Sequence, residues 1–319
     1  MARILAIIDR RPDDPDWKGA AAWKMIHSLA ESQHEVRVLT TQDPAAIHWA
    51  HPRLTVTRPS QSWSATELPK LMQAIWSFQP EVIHSFSLRT SSLWPALSVW
   101  PWLAGLTKVL PNTRRWSTLF DSADLQPKDA TFPWHVSGHG LTVPSRAVRE
   151  TLRGNFIGTI ETLPLDLEVA EPSIPGPSAN TIEHPFALIP APVSRWRNPW
   201  EDLRRLAEFL RQNPELKALI VGGWGELSPS RRKKGWLILS GVMAQVRMTD
   251  PLSLAELLPY ARTADRLWLE PLEVSSWSAT VAFELARSLD KEVHALSGAP
   301  PPRAEGSAAN FLSRLYTQS

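Results

Sequence analysis

Phe186-Ala187-Leu188-Ile189, then Asn198-Pro199-Trp200-Glu201, then Ala218-Leu219-Ile220-Val221-Gly222-Gly223-Trp224-Gly225-Glu226: taken in order, these segments decide the fold. The outer two begin as short apolar runs of the kind that fill a buried strand. The middle one is a helix start in three parts: an Asn N-cap, proline at the first helical position and glutamate three residues after the cap. Leu203, Leu206, Phe209 and Leu210 then recur on one helical face. A strand, a helix and a second strand make one βα unit, and such units stack into a parallel sheet.

The same alternation continues on both sides. Towards the C-terminus further strands are predicted at Leu237–Leu239, Arg266–Leu269 and Val293–Leu296. Ser253-Leu254-Ala255-Glu256 is a capping box, with Pro259 expected to bend or shorten its helix. Ser278 is expected to cap another helix, along which Val281, Leu285 and Leu289 recur. Towards the N-terminus the strands are predicted at Ile4–Ile8, Val36–Thr40, Leu54–Thr57, Val82–Phe86, Lys108–Leu110 and Leu141–Val143. Helices are expected over Ala20 to Ala30, with Gly19 just before, and over Ser145 to Arg153, with Ser145 as N-cap. Between the halves, Pro172, Ser173, Pro175, Gly176, Pro177 and Ser178 mark a linker, because proline removes donors and fixes φ. The expected organisation is an N-terminal Rossmann-like domain over 1–167, a linker over 168–183 and a C-terminal Rossmann-like domain over 184–319. The fold class is α/β, two Rossmann-like domains facing a central cleft. Open parallel sheets of this kind bind ligands at the carboxyl ends of their strands.

Composition narrows the function. The 319 residues are 43% hydrophobic and 21% charged with a net charge of +2, which excludes wholesale disorder. The dense basic run Arg231-Arg232-Lys233-Lys234 reads as a solvated loop, and no nucleic-acid partner is expected. The absence of cysteine excludes disulfides, thiolate metal sites and a Cys nucleophile, and suits a reducing compartment. The apolar stretch from Leu93 to Leu106 holds Pro95 and Pro101 and falls short of the roughly 20 residues of a spanning helix. It reads as buried, or at most as a peripheral membrane contact. The N-terminal apolar run is too short for a signal-peptide core, so a cytoplasmic location is expected. The 16 tryptophans read as core filler or compositional bias more readily than as stacking platforms.

Three segments could carry chemistry, and each also has an ordinary structural reading. Gly222 and Gly223 follow a strand and would let backbone amides approach an anion or sugar; the alternative is a tight turn. Arg195 and Arg197 stand just before a helix N-terminus, where a diphosphate is favoured; the alternative is an exposed basic turn. Trp277, Ser278, Ala279 and Thr280 lead into a helix carrying Glu284, which could accept from a ribose or simply be solvated. No metal is expected: Ser137, Gly138 and Gly140 disfavour a helix that would pair His135 with His139, no third ligand is evident, and Asp13-Asp14-Pro15-Asp16 reads as a solvated loop. No Gly-x-Ser-x-Gly elbow supports a hydrolase.

The collinear order of several pieces resembles the GT-B-fold retaining glycosyltransferases of group 1 type, over roughly residues 3 to 296. The pieces are Lys18-Gly19, His34-Glu35-Val36-Arg37-Val38-Leu39-Thr40, Pro80-Glu81-Val82-Ile83-His84, Leu141-Thr142-Val143-Pro144-Ser145 and Leu163-Pro164. The second half continues with Arg197-Asn198-Pro199, Leu219-Ile220-Val221-Gly222-Gly223, Tyr260-Ala261-Arg262-Thr263-Ala264-Asp265 and Glu284-Leu285-Ala286-Arg287-Ser288. The resemblance implies metal-independent transfer of a sugar from a nucleotide-diphosphate sugar to a glycan or lipid-linked acceptor, as in envelope or exopolysaccharide synthesis. No cofactor is implied. Arg197 would meet the donor phosphates, Trp277–Thr280 the diphosphate and sugar, and Glu284 the ribose, while Gly19 and His84 would lie on the acceptor side. The donor motif is degenerate. Ser276 stands where the family has the first Glu of Glu-x7-Glu, leaving Glu273 nearby, and Ala191-Pro192 stands where it has Gly-Arg, leaving Arg195. The alternative is therefore a catalytically inactive relative that binds a nucleotide, a glycan or a partner protein.

Overall fold

A computed structural model of the chain describes residues 1–14, 17–44, 47, 50–59, 68–86, 110, 112–120, 139–144, 146–153, 159–164, 185–196, 199–269, 277–295 and 307–317. The chain divides into two compact units, Met1–Asp166 with Pro301–Ser319, and Leu167–Pro300.

The first unit contains β1 (Arg3–Ile7), α1 (Lys18–Glu31), β2 (Glu35–Leu39), β3 (Leu54–Thr57), α2 (Leu68–Phe78) and β4 (Val82–Phe86). It continues with β5 (Arg114–Thr118), β6 (His139–Val143), α3 (Arg146–Arg153) and β7 (Thr159–Thr162). The strands form one parallel sheet in the order β3-β2-β1-β4-β5-β6-β7. β1 is central: Ile4 pairs with Val36 on one side and Val82 on the other, and Ile4 to Ile8 are fully buried. A strand covered on both faces has no solvent side, which is why its sequence is a continuous apolar run. α1 buries Ala21, Ala22, Trp23, Met25, Ile26 and Leu29, the stripe that its spacing predicts.

Two strands depart from expectation. The fifth described strand is Arg114–Thr118; of the expected Lys108–Leu110, Lys108 and Val109 lie outside the described residues and Leu110 is in no strand. Its sequence looks too polar for a central strand, yet the Ser117 and Thr118 hydroxyls and Arg115 Nη2 find partners within the unit. Arg115 donates through Nη2 to the Leu110 carbonyl (2.6 Å), Ser117 meets Ser85, and Thr118 meets Thr142 (2.7 Å). Buried polar side chains that find partners cost little, and an apolar count misses such a strand. β7 was not expected at all; Ile160 is its one buried residue, as suits a sheet edge.

The second unit contains β8 (Phe186–Ile189), α4 (Pro199–Gln212), β9 (Lys217–Ile220), α5 (Pro229–Leu239), β10 (Val246–Met248), α6 (Leu254–Thr263), β11 (Arg266–Leu269), α7 (Trp277–Ser288) and β12 (Glu292–Ala295). These strands are also all parallel, in the order β10-β9-β8-β11-β12. Both units are therefore wound from a central first strand in opposite directions, the Rossmann pattern. Ser253 caps α6, its hydroxyl accepting from the Glu256 N–H (3.4 Å) while Glu256 accepts from the Ser253 N–H (2.8 Å). Pro259 lies inside α6, which nevertheless runs on to Thr263.

Here too the sequence reading needs correction. Leu237–Leu239 is the last turn of α5, and the strand is Val246–Met248, since a short apolar run has no periodicity to separate helix from strand. Arg231 to Lys234 are exposed, as expected, but they lie on α5 and not in a loop. Ser278 is the second residue of α7, so it does not cap that helix. The expected N-caps Ser145 and Asn198 and the linker over 168–183 lie outside the described residues, as do His135 and the whole of Leu93 to Leu106.

The last helix, α8 (Ala308–Thr317), packs on α1 and belongs to the first unit, although the sequence assigned it to the second domain. Its Leu312 and Tyr316 are buried. The Ala2 N–H donates to His34 Nδ1 (3.1 Å), so the ring proton lies on Nε2, which faces Ser313 Oγ at 2.9 Å. Tyr316 meets His84 Nδ1 through its hydroxyl and accepts from Arg114 through its carbonyl. Burial pushes the Tyr316 hydroxyl well above the ordinary phenol range. Among the described residues no helix is long and apolar enough to cross a membrane.

Candidate ligand edge of the second unit

Strand order locates the candidate site. In the second sheet the winding reverses at β8, whose neighbours are β9 and β11. The carboxyl ends of β8, β9 and β11 are therefore adjacent, and the crevice beside such a reversal is where open α/β sheets bind ligands.

Two of the loops that leave these ends are locked together. After β8, Ala191 and Pro192 lead into a short 3-10 turn, Val193–Arg195. After β9 the chain turns sharply through Gly222 (φ +76), Gly223 (φ +50) and Gly225 (φ +58), left-handed conformations that side chains rarely adopt. The Val193 N–H donates to the Gly223 carbonyl (2.9 Å), and the Gly225 N–H closes the turn on the Gly222 carbonyl (3.0 Å). A Cβ at Gly222 would stand 3.1 Å from Pro192 Cβ. The loop after β10 joins them, with the Thr249 N–H donating to the Ile220 carbonyl (3.0 Å).

Side chains outside the turn hold its shape. Trp196 is buried and donates from Nε1 to the Ala191 carbonyl (3.2 Å). Trp224 is buried against α5, where Gly235 leaves space for the indole: a Cβ there would lie 2.3 Å from the ring. Arg232 donates to the Leu227 and Gly225 carbonyls (2.7 and 2.9 Å). Sequence reading did not single out Ser194, Trp224, Arg232 or Gly235. A glycine in the middle of α5 was the available signal, since it costs helix stability unless something packs against it.

The third loop runs from β11 to α7. Trp277, Ser278, Ala279 and Thr280 form the first turn of α7, where unpaired amides and the helix dipole favour an anion. Glu284 lies about two turns in, and its carboxylate accepts from Arg287 on the same helix. It is thus an ion-paired acid with only 18% side-chain exposure. Arg195 is placed by its backbone in the 3-10 turn; its side chain, Arg197 and Glu273 lie outside the described residues.

On the first unit, Gly19 is the second residue of α1 and not a loop residue before it. A Cβ there would fall 1.8 Å from the Arg11 carbonyl oxygen, so glycine lets the loop after β1 fold back over the helix start. His84, expected on the acceptor side, is fully buried. Its ring stacks on Phe86 and bonds Thr118 Oγ1 (2.8 Å) as well as Tyr316, so in this structure its contacts lie within the core. Asp13 pairs with Arg11 (2.7 Å), and among the described residues no group of three His, Asp or Glu side chains is placed to hold a metal.

The two-unit α/β fold is that of GT-B glycosyltransferases. A glycosyltransferase from Rickettsia africae superposes with a TM-score of 0.61 at 12% identity, covering 92% of this chain and 79% of its own. Anabaena HepE, solved in complex with UDP and glucose, gives a TM-score of 0.61 at 13% identity, covering 99% and 89%. A protein assigned as a UDP-N-acetylglucosamine 2-epimerase in Listeria monocytogenes gives 0.57 at 13%, covering 98% and 95%. No protein-family model and no curated protein sequence matches the chain. At these identities the likeness is one of fold, and this fold serves more than one chemistry.

Proposed function

We propose that this chain transfers a sugar from a nucleotide-diphosphate sugar to a glycan or lipid-linked acceptor, without a metal or other cofactor and with retention at the anomeric carbon. The observation that carries the reading is the adjacency of the carboxyl ends of β8, β9 and β11 at the reversal point of the second sheet, with the loops after β8 and β9 bonded to each other. Every donor-side residue named from the sequence belongs to the loops after these three strands or to the helix that the last one enters. In this reading the diphosphate lies at the N-terminus of α7, where helix amides and Arg197 meet the charge that builds on the departing group. Arg195 adds a second cation, and Gly222 and Gly223 admit the ligand close to the backbone. Glu284 exchanges its Arg287 partner for the ribose hydroxyls. The acceptor binds on the first unit, near the loop that Gly19 allows to fold back. HepE crystallised with UDP and glucose supports a nucleotide sugar as the donor class.

A second reading is favoured by two facts: Ser276 replaces the first family Glu, and Glu284 is already neutralised by Arg287. The chain would then bind a nucleotide or glycan without turnover. Incubation with UDP-, GDP- and ADP-sugars separates the two. Slow release of free sugar from one donor supports transfer, whereas binding without release from any donor supports the inactive relative.

A further inference from the structure

Residues 227–249 contain no Asp or Glu and carry Arg231, Arg232, Lys233, Lys234 and Arg247. The first four occupy the opening turns of α5 and are exposed. Arg232 is committed to the Leu227 and Gly225 carbonyls, and Arg231 and Lys234 stand over the Trp200 ring at 5.8 and 5.0 Å from its centroid. A cation over an aromatic face keeps its charge, so these contacts fix the positive side chains in place without neutralising them.

Large apolar side chains lie beside them in water. Trp236, Leu237 and Met243 are 37%, 68% and 50% exposed. Apart from these, the exposed large hydrophobics among the described residues are Met1 and Trp76, so the exposure is concentrated in this one segment. Lys233 and Leu237 are four apart on α5 and share its outward line. Met243 follows in the 3-10 turn Met243–Gln245 after the helix.

The combination selects one kind of partner. A soluble polyanion would satisfy the bases and leave Leu237 and Met243 in water. An apolar protein groove would take those two and strand the cations. An anionic bilayer surface offers phosphate to the bases and acyl chains to the apolar side chains at the same depth. We propose that α5 and the turn after it form a docking surface for an anionic lipid membrane. This does not rest on the sugar-transfer reading, because none of these residues is assigned to donor or acceptor.

Co-sedimentation of the full chain with vesicles tests it, using phosphatidylcholine alone or mixed with phosphatidylglycerol at low ionic strength. The chain is expected to sediment with the mixed vesicles and to stay in solution with phosphatidylcholine. Lys233→Gln with Lys234→Gln should weaken partitioning about 25-fold, from about fivefold per base. Leu237→Ser should weaken it roughly 10-fold and leave binding to heparin unchanged. The positions are exposed, so both variants should melt with the parent. The proposal is overturned if the parent chain ignores phosphatidylglycerol, or if either variant sediments as the parent does. Heparin binding as tight as vesicle binding, with Leu237→Ser without effect on vesicles, would assign the patch to a soluble polyanion and overturn it equally.

Discussion

A Cβ on Gly225 would stand 2.1 Å from Ser194 Oγ, so the loops after β8 and β9 close on each other only because position 225 has no side chain. The same residue holds φ at +58, a conformation that costs a non-glycine residue roughly 1–2 kcal/mol. Gly225→Ala adds steric overlap to that strain. The expected loss is about 2–4 kcal/mol of stability for the second unit, read by urea denaturation. Ser194→Gly should restore part of it by removing the clashing oxygen but not the strain.

Trp224 and Gly235 form a second interlocking pair, indole against a helix with no Cβ in its path. Gly235→Ala alone should destabilise by about 1–3 kcal/mol through overpacking, despite alanine's better helix propensity. With Trp224→Leu already in place the same change should become neutral or stabilising. Denaturation of the double-mutant cycle checks this; additive effects would show that the two do not touch in solution.

These pairs mark where sequence reading stops. The central strands β1, β8 and β9 were legible because a parallel strand covered on both faces is a near-continuous apolar run. The α6 cap was legible because Ser253 and Glu256 act locally. β5 was not: Arg115, Ser117 and Thr118 are tolerated only because Leu110, Ser85, His84 and Thr142 face them, and sequence does not display partners from other strands. α8, Ala308–Thr317, falls within the expected second domain, 184–319, yet belongs to the first unit, since its partners His34, His84 and Arg114 are remote in the chain. Likewise the glycine turn was visible as glycines, while its lock onto Pro192 and Ser194 was not.

The attachment of α8 should depend on pH through His34. Burial, helped by the positive amino terminus, lowers the pKa of this histidine below its ordinary 6.5, with Glu81 opposing. The unfolded chain therefore takes up the proton first as the pH falls. Stability is full above about pH 6.5 and is lost on acidification below it, towards the folded-state value. Melting temperatures measured from pH 7.5 down to 5.5 should fall, and His34→Gln should flatten that slope. An unchanged slope in His34→Gln would assign the acid sensitivity to other groups.

In the proposed function a nucleoside diphosphate binds at the carboxyl edge of the second sheet, beside the start of α7. Thermal unfolding in the presence of UDP, GDP or ADP tests it most directly. One of the three, at about 100 times its Kd, is expected to stabilise the chain by about 2.7 kcal/mol, and Arg197→Ala or Glu284→Ala should abolish the shift. A chain whose melting temperature responds to none of them, or whose response survives both substitutions, would contradict the account.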